Sequence, residues 1–291
     1  MSKVKANDIE IEYALKGAPE DDVIILVRGL GTQLVDWPEN LINGLLDSDL
    51  QVLIFDNRDV GLSQKFDHIA PPKLGDVAKG ITQPPYTLKD MSDDVIGLMD
   101  ALNIEQAHVL GISMGGMIVQ LMAVHYPRRL LSMLSIMSSS GRRGLPGPTP
   151  EAQAYLVAVP DQKDGEESVT ASTAEWLSIC GSPAHPETLE ARLSIAKIRY
   201  QRDYNPDGVA RQMAAIVHDG DRSERLQSIQ VLTTIVHGVD DPLIPIACGE
   251  DTASQIPGSV FIAVDGMGHN FPEAMMPKIV DITTTHLGRL S

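Results

Sequence analysis

The segment Gly111-Ile112-Ser113-Met114-Gly115-Gly116 lies between two apolar runs, residues 107–112 and 117–124. A buried strand on one side and a buried helix on the other leave room only for a very sharp turn, and Ser113 must sit on it. Small flanking glycines let such a turn form and leave the serine oxygen exposed at the sheet edge. The Gly-x-Ser-x-Gly pattern alone is common by chance. Its strand–turn–helix setting is what makes Ser113 a candidate nucleophile.

The rest of the chain keeps the same rhythm. Aliphatic blocks recur at residues 23–27, 52–55, 109–112, 130–137, 232–236 and 260–264. Continuous runs of this kind suit parallel strands covered on both faces. Helical patterns alternate with them: Leu88, Met91, Val95, Leu98, Met99 and Leu102 recur at three- and four-residue spacing, behind a Thr87/Asp90 capping box. The alternation predicts an α/β fold with a mostly parallel sheet. Residues 4–15 alternate apolar and polar and read as an antiparallel hairpin at the sheet edge.

Two stretches break the pattern. Residues 139–225 hold helical patterns and turn-rich joints but no strand block, which predicts a helical insertion. The core is then expected in two parts, residues 1–138 and 226–291, with the insertion as a cap. Residues 57–86 carry Pro71, Pro72, Pro84 and Pro85 and read as a long loop, functional or mobile.

Composition removes several classes of partner. The net charge of −16 argues against nucleic acid and anionic membranes, which call for clustered Lys and Arg. No run approaches the roughly 18 apolar residues of a membrane span. The opening Met1-Ser2-Lys3-Val4-Lys5 is not followed by an apolar signal region, so cytoplasmic residence is expected by default. Cys180 and Cys248 make no disulfide framework and read as small apolar residues. The histidines lack metal spacing such as His-Glu-x-x-His, so no metal and no organic cofactor is expected. Homo-oligomerisation stays open.

A serine hydroxyl is a poor nucleophile unless a base lies in hydrogen-bond reach and an acid orients that base. Of eight histidines, His269 is set apart. It lies in Gly266-Met267-Gly268-His269-Asn270, on a loop after the last strand block, where α/β sheets place ligand-facing residues. His108 reads as packed within a strand and His125 as a helix C-terminal residue. His68, His185, His218, His237 and His286 have weaker positions. After the penultimate strand the chain reads His237-Gly238-Val239-Asp240-Asp241-Pro242, and two adjacent aspartates compete for the acid's place. Adjacent side chains leave a loop in different directions, so only one can reach His269. An oxyanion would find a donor in the Met114 backbone N–H at the helix start.

With these pieces in view, the chain resembles the α/β-hydrolase superfamily over nearly its whole length. The match is carried by Arg28-Gly29-Leu30-Gly31, by residues 111–116 and 238–245, and by Gly268-His269. Asp56-Asn57-Arg58-Asp59-Val60-Gly61-Leu62-Ser63 is similar to that family's Asp-x-Arg-Gly-x-Gly-x-Ser turn, with Arg58 expected to tie loops together near the site. Within the superfamily the chain is similar to bacterial carboxylesterases and aclacinomycin methylesterases, sharing Trp37-Pro38, Asn57-Arg58-Asp59, Ser113-Met114-Gly115 and residues 266–269. The resemblance implies a carboxylic-ester hydrolase with a helical cap and a Ser–acid–His chain order. Its Gly-x-x-Asp-x-x-x-Pro pattern selects Asp241 over Asp240. Its loop after the third strand implies Leu30 as the second oxyanion donor, beside Gly29. Where relatives often have His-Gly, this chain has Arg28-Gly29, which leaves the backbone donor but alters the loop's anchorage.

The expected partner is a small-molecule ester, roofed by Tyr155, Leu156, Val159, Trp176, Leu177 and Ile179 of the cap. Met114, Met117, Met137 and Met267 are expected around the site, Met117 mainly as core. Trp176, Met137 and Gly29 are the expected substrate-facing residues. A carbon–carbon bond hydrolase, an enol-lactonase or a cofactor-free perhydrolase would use the same triad, and a non-catalytic receptor can share the fold.

Overall fold

The computed structural model describes residues 1–157 and 162–290. It opens with the expected hairpin, strands β1 (Ser2–Ala6) and β2 (Ile9–Lys16). The turn between them falls on Asn7 and Asp8, both at positive φ (47° and 63°), residue types that tolerate the left-handed region. The six aliphatic blocks all become strands: β3 (Asp22–Val27), β4 (Leu50–Phe55), β5 (Ala107–Ile112), β6 (Leu130–Ile136), β7 (Leu232–Gly238) and β8 (Val260–Val264). They join β1 and β2 in one sheet of order β1-β2-β4-β3-β5-β6-β7-β8, parallel from β4 onward.

Six of the helices precede or flank the later site: α1 (Glu39–Leu46), α2 (Leu74–Ala78), α3 (Leu88–Ala101), α4 (Met114–His125), and, within the stretch between β6 and β7, α5 (Pro150–Val157) and α6 (Gly165–Ile179). The chain continues with α7 (Leu189–Arg202), α8 (Pro206–Asp219), α9 (Ser223–Leu226), α10 (Ile246–Gln255) and α11 (Met276–Leu287). Strand side chains alternate between two cores, as a period of two requires. Ile25, Val27, Leu53, Phe55 and Val109 face α3 and α4. Ile24, Leu26, Val52, Ile54 and Leu110 face α1 and α11. The central strands therefore need apolar residues at every position, which is why they read as unbroken runs.

The run at 260–264 reads the same way but is placed differently. β8 is the edge of the sheet, and only Val264 is buried. At the start of α3 the capping box forms: the Asp90 N–H donates to Thr87 Oγ1 at 3.2 Å, and the Thr87 N–H donates to Asp90 Oδ2 at 2.7 Å. Residues 57–86 hold the short α2 but are not loose. Arg58 grips Asp94 of α3 through two hydrogen bonds of 2.6 Å. It thus ties its loop to α3, and its guanidinium also lies over the Phe66 and Tyr86 rings of the same stretch.

Among the described residues, 139–225 contain helices and no strand. Charged pairs fasten this stretch to the core. Arg211 of α8 donates to both oxygens of the fully buried Asp59 at 2.8 Å. Arg202 pairs with Asp56 at 2.7 Å, and Arg199 with Asp36 at 2.5 Å. Buried pairs of this kind add geometric definition more dependably than net stability. They hold α7 and α8 against the segments that follow β3 and β4. No helix among the described residues is long and apolar enough to cross a membrane.

Candidate active site

Ser113 sits between β5 and α4 at φ 56°, ψ −120°, a conformation costly for any residue with a side chain. The turn is held from outside. A Cβ at Gly111 would lie 2.2 Å from the Gly115 carbonyl oxygen, and one at Gly115 would lie 2.0 Å from that of Val27. Any larger residue would push α4 off the sheet, which explains the glycines of the motif. The Ser113 N–H donates to Ile136 O at 3.0 Å, and the Ser138 hydroxyl donates to Ser113 O at 2.8 Å. The backbone is pinned by bonds that leave the side-chain oxygen unused.

The loop after β8 brings His269 to it. Ser113 Oγ is 3.0 Å from His269 Nε2, and His269 Nδ1 is 2.7 Å from Asp241 Oδ2. A carboxylate accepts, so Nδ1 carries the proton and Nε2 is left to accept from the serine. The other oxygen of Asp241 accepts from the N–H groups of Leu243 and Ile244 at 2.9 and 2.8 Å. Asp240 points elsewhere and accepts from the Gly266 N–H at 3.0 Å. The structure thus brings Ser113, His269 and Asp241 together and leaves Asp240 as a turn residue.

His237 stands on the far side of Asp241, its Nε2 3.6 Å from Oδ2. Burial lowers its pKa below the usual histidine value, and its Nε2–H donates to Ile244 O at 2.7 Å. It braces the turn that holds the acid. His108 is buried against Ser132, and His125 ends α4, as their sequence positions suggest.

The loop after β3 closes in from the other side. A Cβ at Gly29 would lie 3.1 Å from Ser113 Cβ and 3.5 Å from Oγ, so this loop stands directly against the serine. The N–H groups of Leu30 and Met114 donate to no acceptor among the described residues, and both residues line the cavity above Ser113. Arg28 anchors this loop. Its Nε–H donates to Thr32 Oγ1 at 3.2 Å, its Nη1–H donates to Asp36 O at 3.3 Å, and its guanidinium lies 4.6 Å from the Trp37 ring centroid.

The cavity has a volume of about 650 Å³. Gly29, Met137 and Trp176 line it, as do Tyr155, Leu156, Leu177 and Met117. Ile179 and Met267 do not, and Met267 is fully buried behind its loop. Val159 lies outside the described residues. Cys180 and Cys248 are both buried and free, and burial pushes both thiols up.

One group of residues near His269 gave no signal in the sequence. The segment joining α6 to α7 clasps the histidine loop. The His269 N–H donates to Cys180 O at 2.8 Å, and the Gly268 N–H donates to Ser182 Oγ at 3.0 Å. The Ser182 hydroxyl in turn donates to Asn270 Oδ1 at 2.6 Å, and Asn270 Nδ2 donates to Glu187 Oε2 at 3.0 Å. These partners are more than 80 residues apart, and only the position of Asn270 beside His269 hints at them. Ser182 is almost wholly buried, so Ser182→Ala strands the Gly268 N–H and the Asn270 amide oxygen. We expect kcat to fall by about three- to tenfold with KM little changed, and Ser182→Thr to restore most of it, read by steady-state kinetics.

The chain matches the family model for the alpha/beta hydrolase fold over residues 22–273. It is 22% identical over 294 residues to the rhodomycin D methylesterase DauP of Streptomyces sp. (strain C5), covering 93% of this chain and 92% of that protein. It is 26% identical over 291 residues to a putative carbamate hydrolase, RutD, of Caulobacter sp. (strain K31), covering 92% and 94%. Among solved structures, the meta-cleavage product hydrolase of Pseudomonas fluorescens IP01 superposes with a TM-score of 0.78 at 18% identity, covering 100% of this chain and 98% of that one. The sheet order, the turn at Ser113 and a family match spanning 22–273 agree: the chain belongs to the α/β-hydrolase family.

Proposed function

We propose that this α/β-hydrolase cleaves carboxylic esters through an acyl-enzyme on Ser113. The observation that carries this reading is the unbroken relay from Ser113 Oγ to His269 Nε2 at 3.0 Å and from His269 Nδ1 to Asp241 Oδ2 at 2.7 Å. His269 takes the serine proton as Oγ attacks the ester carbonyl. The unengaged N–H groups of Leu30 and Met114 receive the oxyanion, where such donors act at full strength because they are already oriented. Asp241 supports the protonated His269, which gives its proton to the leaving alcohol. Water then attacks the acyl-enzyme, with His269 again as base, and the carboxylic acid leaves.

Residues 139–225 form the cap in this reading, and residues 1–138 and 226–291 the catalytic core. Trp176, Tyr155 and Leu156 from the cap and Met137 and Gly29 from the core would enclose the acyl group. The lining is largely apolar, and methionine adapts to varied shapes. A small-molecule ester is the expected substrate, and no cofactor takes part. Of the two relatives named above, one is named a methylesterase and the other a putative carbamate hydrolase.

A series of 4-nitrophenyl esters from acetate to dodecanoate tests the reading. We expect turnover, with kcat/KM rising to an intermediate chain length that fills the cavity. A well-folded protein that turns over no member of the series would sink it.

A further inference from the structure

Arg28 has more donors than the fold uses. It is only 6% exposed and lines the cavity. Its contacts, Thr32 Oγ1, the Asp36 carbonyl and the Trp37 ring, belong to residues that line the cavity too. All three contacts are neutral. Its Nη2 donates to no acceptor among the described residues and is not among their fully enclosed, unpaired atoms. No carboxylate among them lies within 4.0 Å of it.

Apart from Glu39, the other charged groups of that wall are engaged. Asp36 is taken by Arg199 at 2.5 Å and by the Gln33 N–H at 2.7 Å. Asp203 pairs with Lys65 at 3.2 Å, and Glu187 accepts from Asn270. Glu273 accepts from the N–H groups of Glu39 and Asn40, and Glu39 itself is exposed. Burial lowers the Arg28 pKa to about 10, partly offset by Asp36, so it remains charged at neutral pH. Buried charges are normally paired, and a guanidinium fork matches a carboxylate better than any other common group.

We propose that Arg28 makes this wall a subsite for a carboxylate on the substrate, so that the preferred ester is a half-ester of a dicarboxylic acid. The proposal rests on the ester-hydrolase reading. Gly29 stands against Ser113 and directly follows Arg28, so one molecule can place its ester at the serine and its carboxylate at the guanidinium. The net charge of −16 repels anions at long range. The preference therefore comes from local hydrogen bonds and not from steering.

The test compares monomethyl half-esters from succinate to sebacate with methyl esters of matched chain length, following acid release. At the best length, the wild type should favour the half-ester by about tenfold or more in kcat/KM, and Arg28→Met should cut that ratio by roughly ten- to hundredfold. Arg28 also anchors its loop, and the ratio cancels any loss common to both esters. Arg28→Lys, which keeps the charge, should retain part of the preference. A wild-type ratio of one or below at every length, or an unchanged ratio in Arg28→Met, overturns the proposal. Should no ester be turned over, calorimetric titration of monomethyl adipate decides it independently of catalysis. Saturable binding that Arg28→Met abolishes supports the subsite, and no binding to the wild type refutes it.

Discussion

Ser113→Ala is expected to lower kcat on a chromogenic ester by roughly 10⁵- to 10⁶-fold, with KM and thermal stability nearly unchanged. The substitution removes one oxygen and nothing that holds the turn. The pins on residue 113 are its own backbone N–H and carbonyl, bonded to Ile136 and Ser138. The left-handed conformation is enforced by the close approach of Gly111 and Gly115 to their neighbours, which alanine at 113 does not disturb. An effect this large on rate, without one on folding, is the mark of a nucleophile. Active-site titration before and after dialysis, together with melting curves, separates it from partial unfolding.

The second large effect distinguishes two neighbours. Asp241→Asn should cost about 10⁴-fold in kcat, while Asp240→Asn should cost less than about tenfold. At 241, an asparagine can still accept from Leu243 and Ile244 through its carbonyl oxygen, so the turn survives. Its amide would then face His269 as a donor. That forces the proton onto Nε2, where it opposes the serine proton. At 240, an asparagine oxygen still accepts from the Gly266 N–H, and nothing in the relay changes. Comparable losses at the two positions would mean that the loop, and not the carboxylate charge, is what matters.

Much of this site is written locally in the chain. Ser113 announces itself because a sharp turn between a buried strand and a buried helix needs glycines at fixed offsets. His269 follows from its loop at the end of the last parallel strand. The strands read as aliphatic runs because two helical layers cover the central sheet, and β8 misleads because an edge strand can carry the same residues with one side bare. Asp241 is legible only with the family's spacing, since both aspartates satisfy the residue chemistry. What the chain hides is long-range. The clasp of Ser182, Asn270 and Glu187 on the histidine loop and the grip of Arg211 on Asp59 join segments more than 80 residues apart. No periodicity or turn signal encodes such meetings. Arg28 is a further case: a departure from His-Gly was visible, but only its neutral partners show what the departure does.

The most direct measurement is covalent. A serine-directed fluorophosphonate should modify the wild-type protein with one adduct per chain, abolish ester turnover in proportion, and map by peptide mass to the segment containing Ser113. Ser113→Ala should take up no label, and Asp241→Asn should be labelled far more slowly than Asp240→Asn. Stoichiometric labelling at another residue, or full turnover in protein that carries no label after prolonged exposure, would contradict the assignment of Ser113 as the nucleophile.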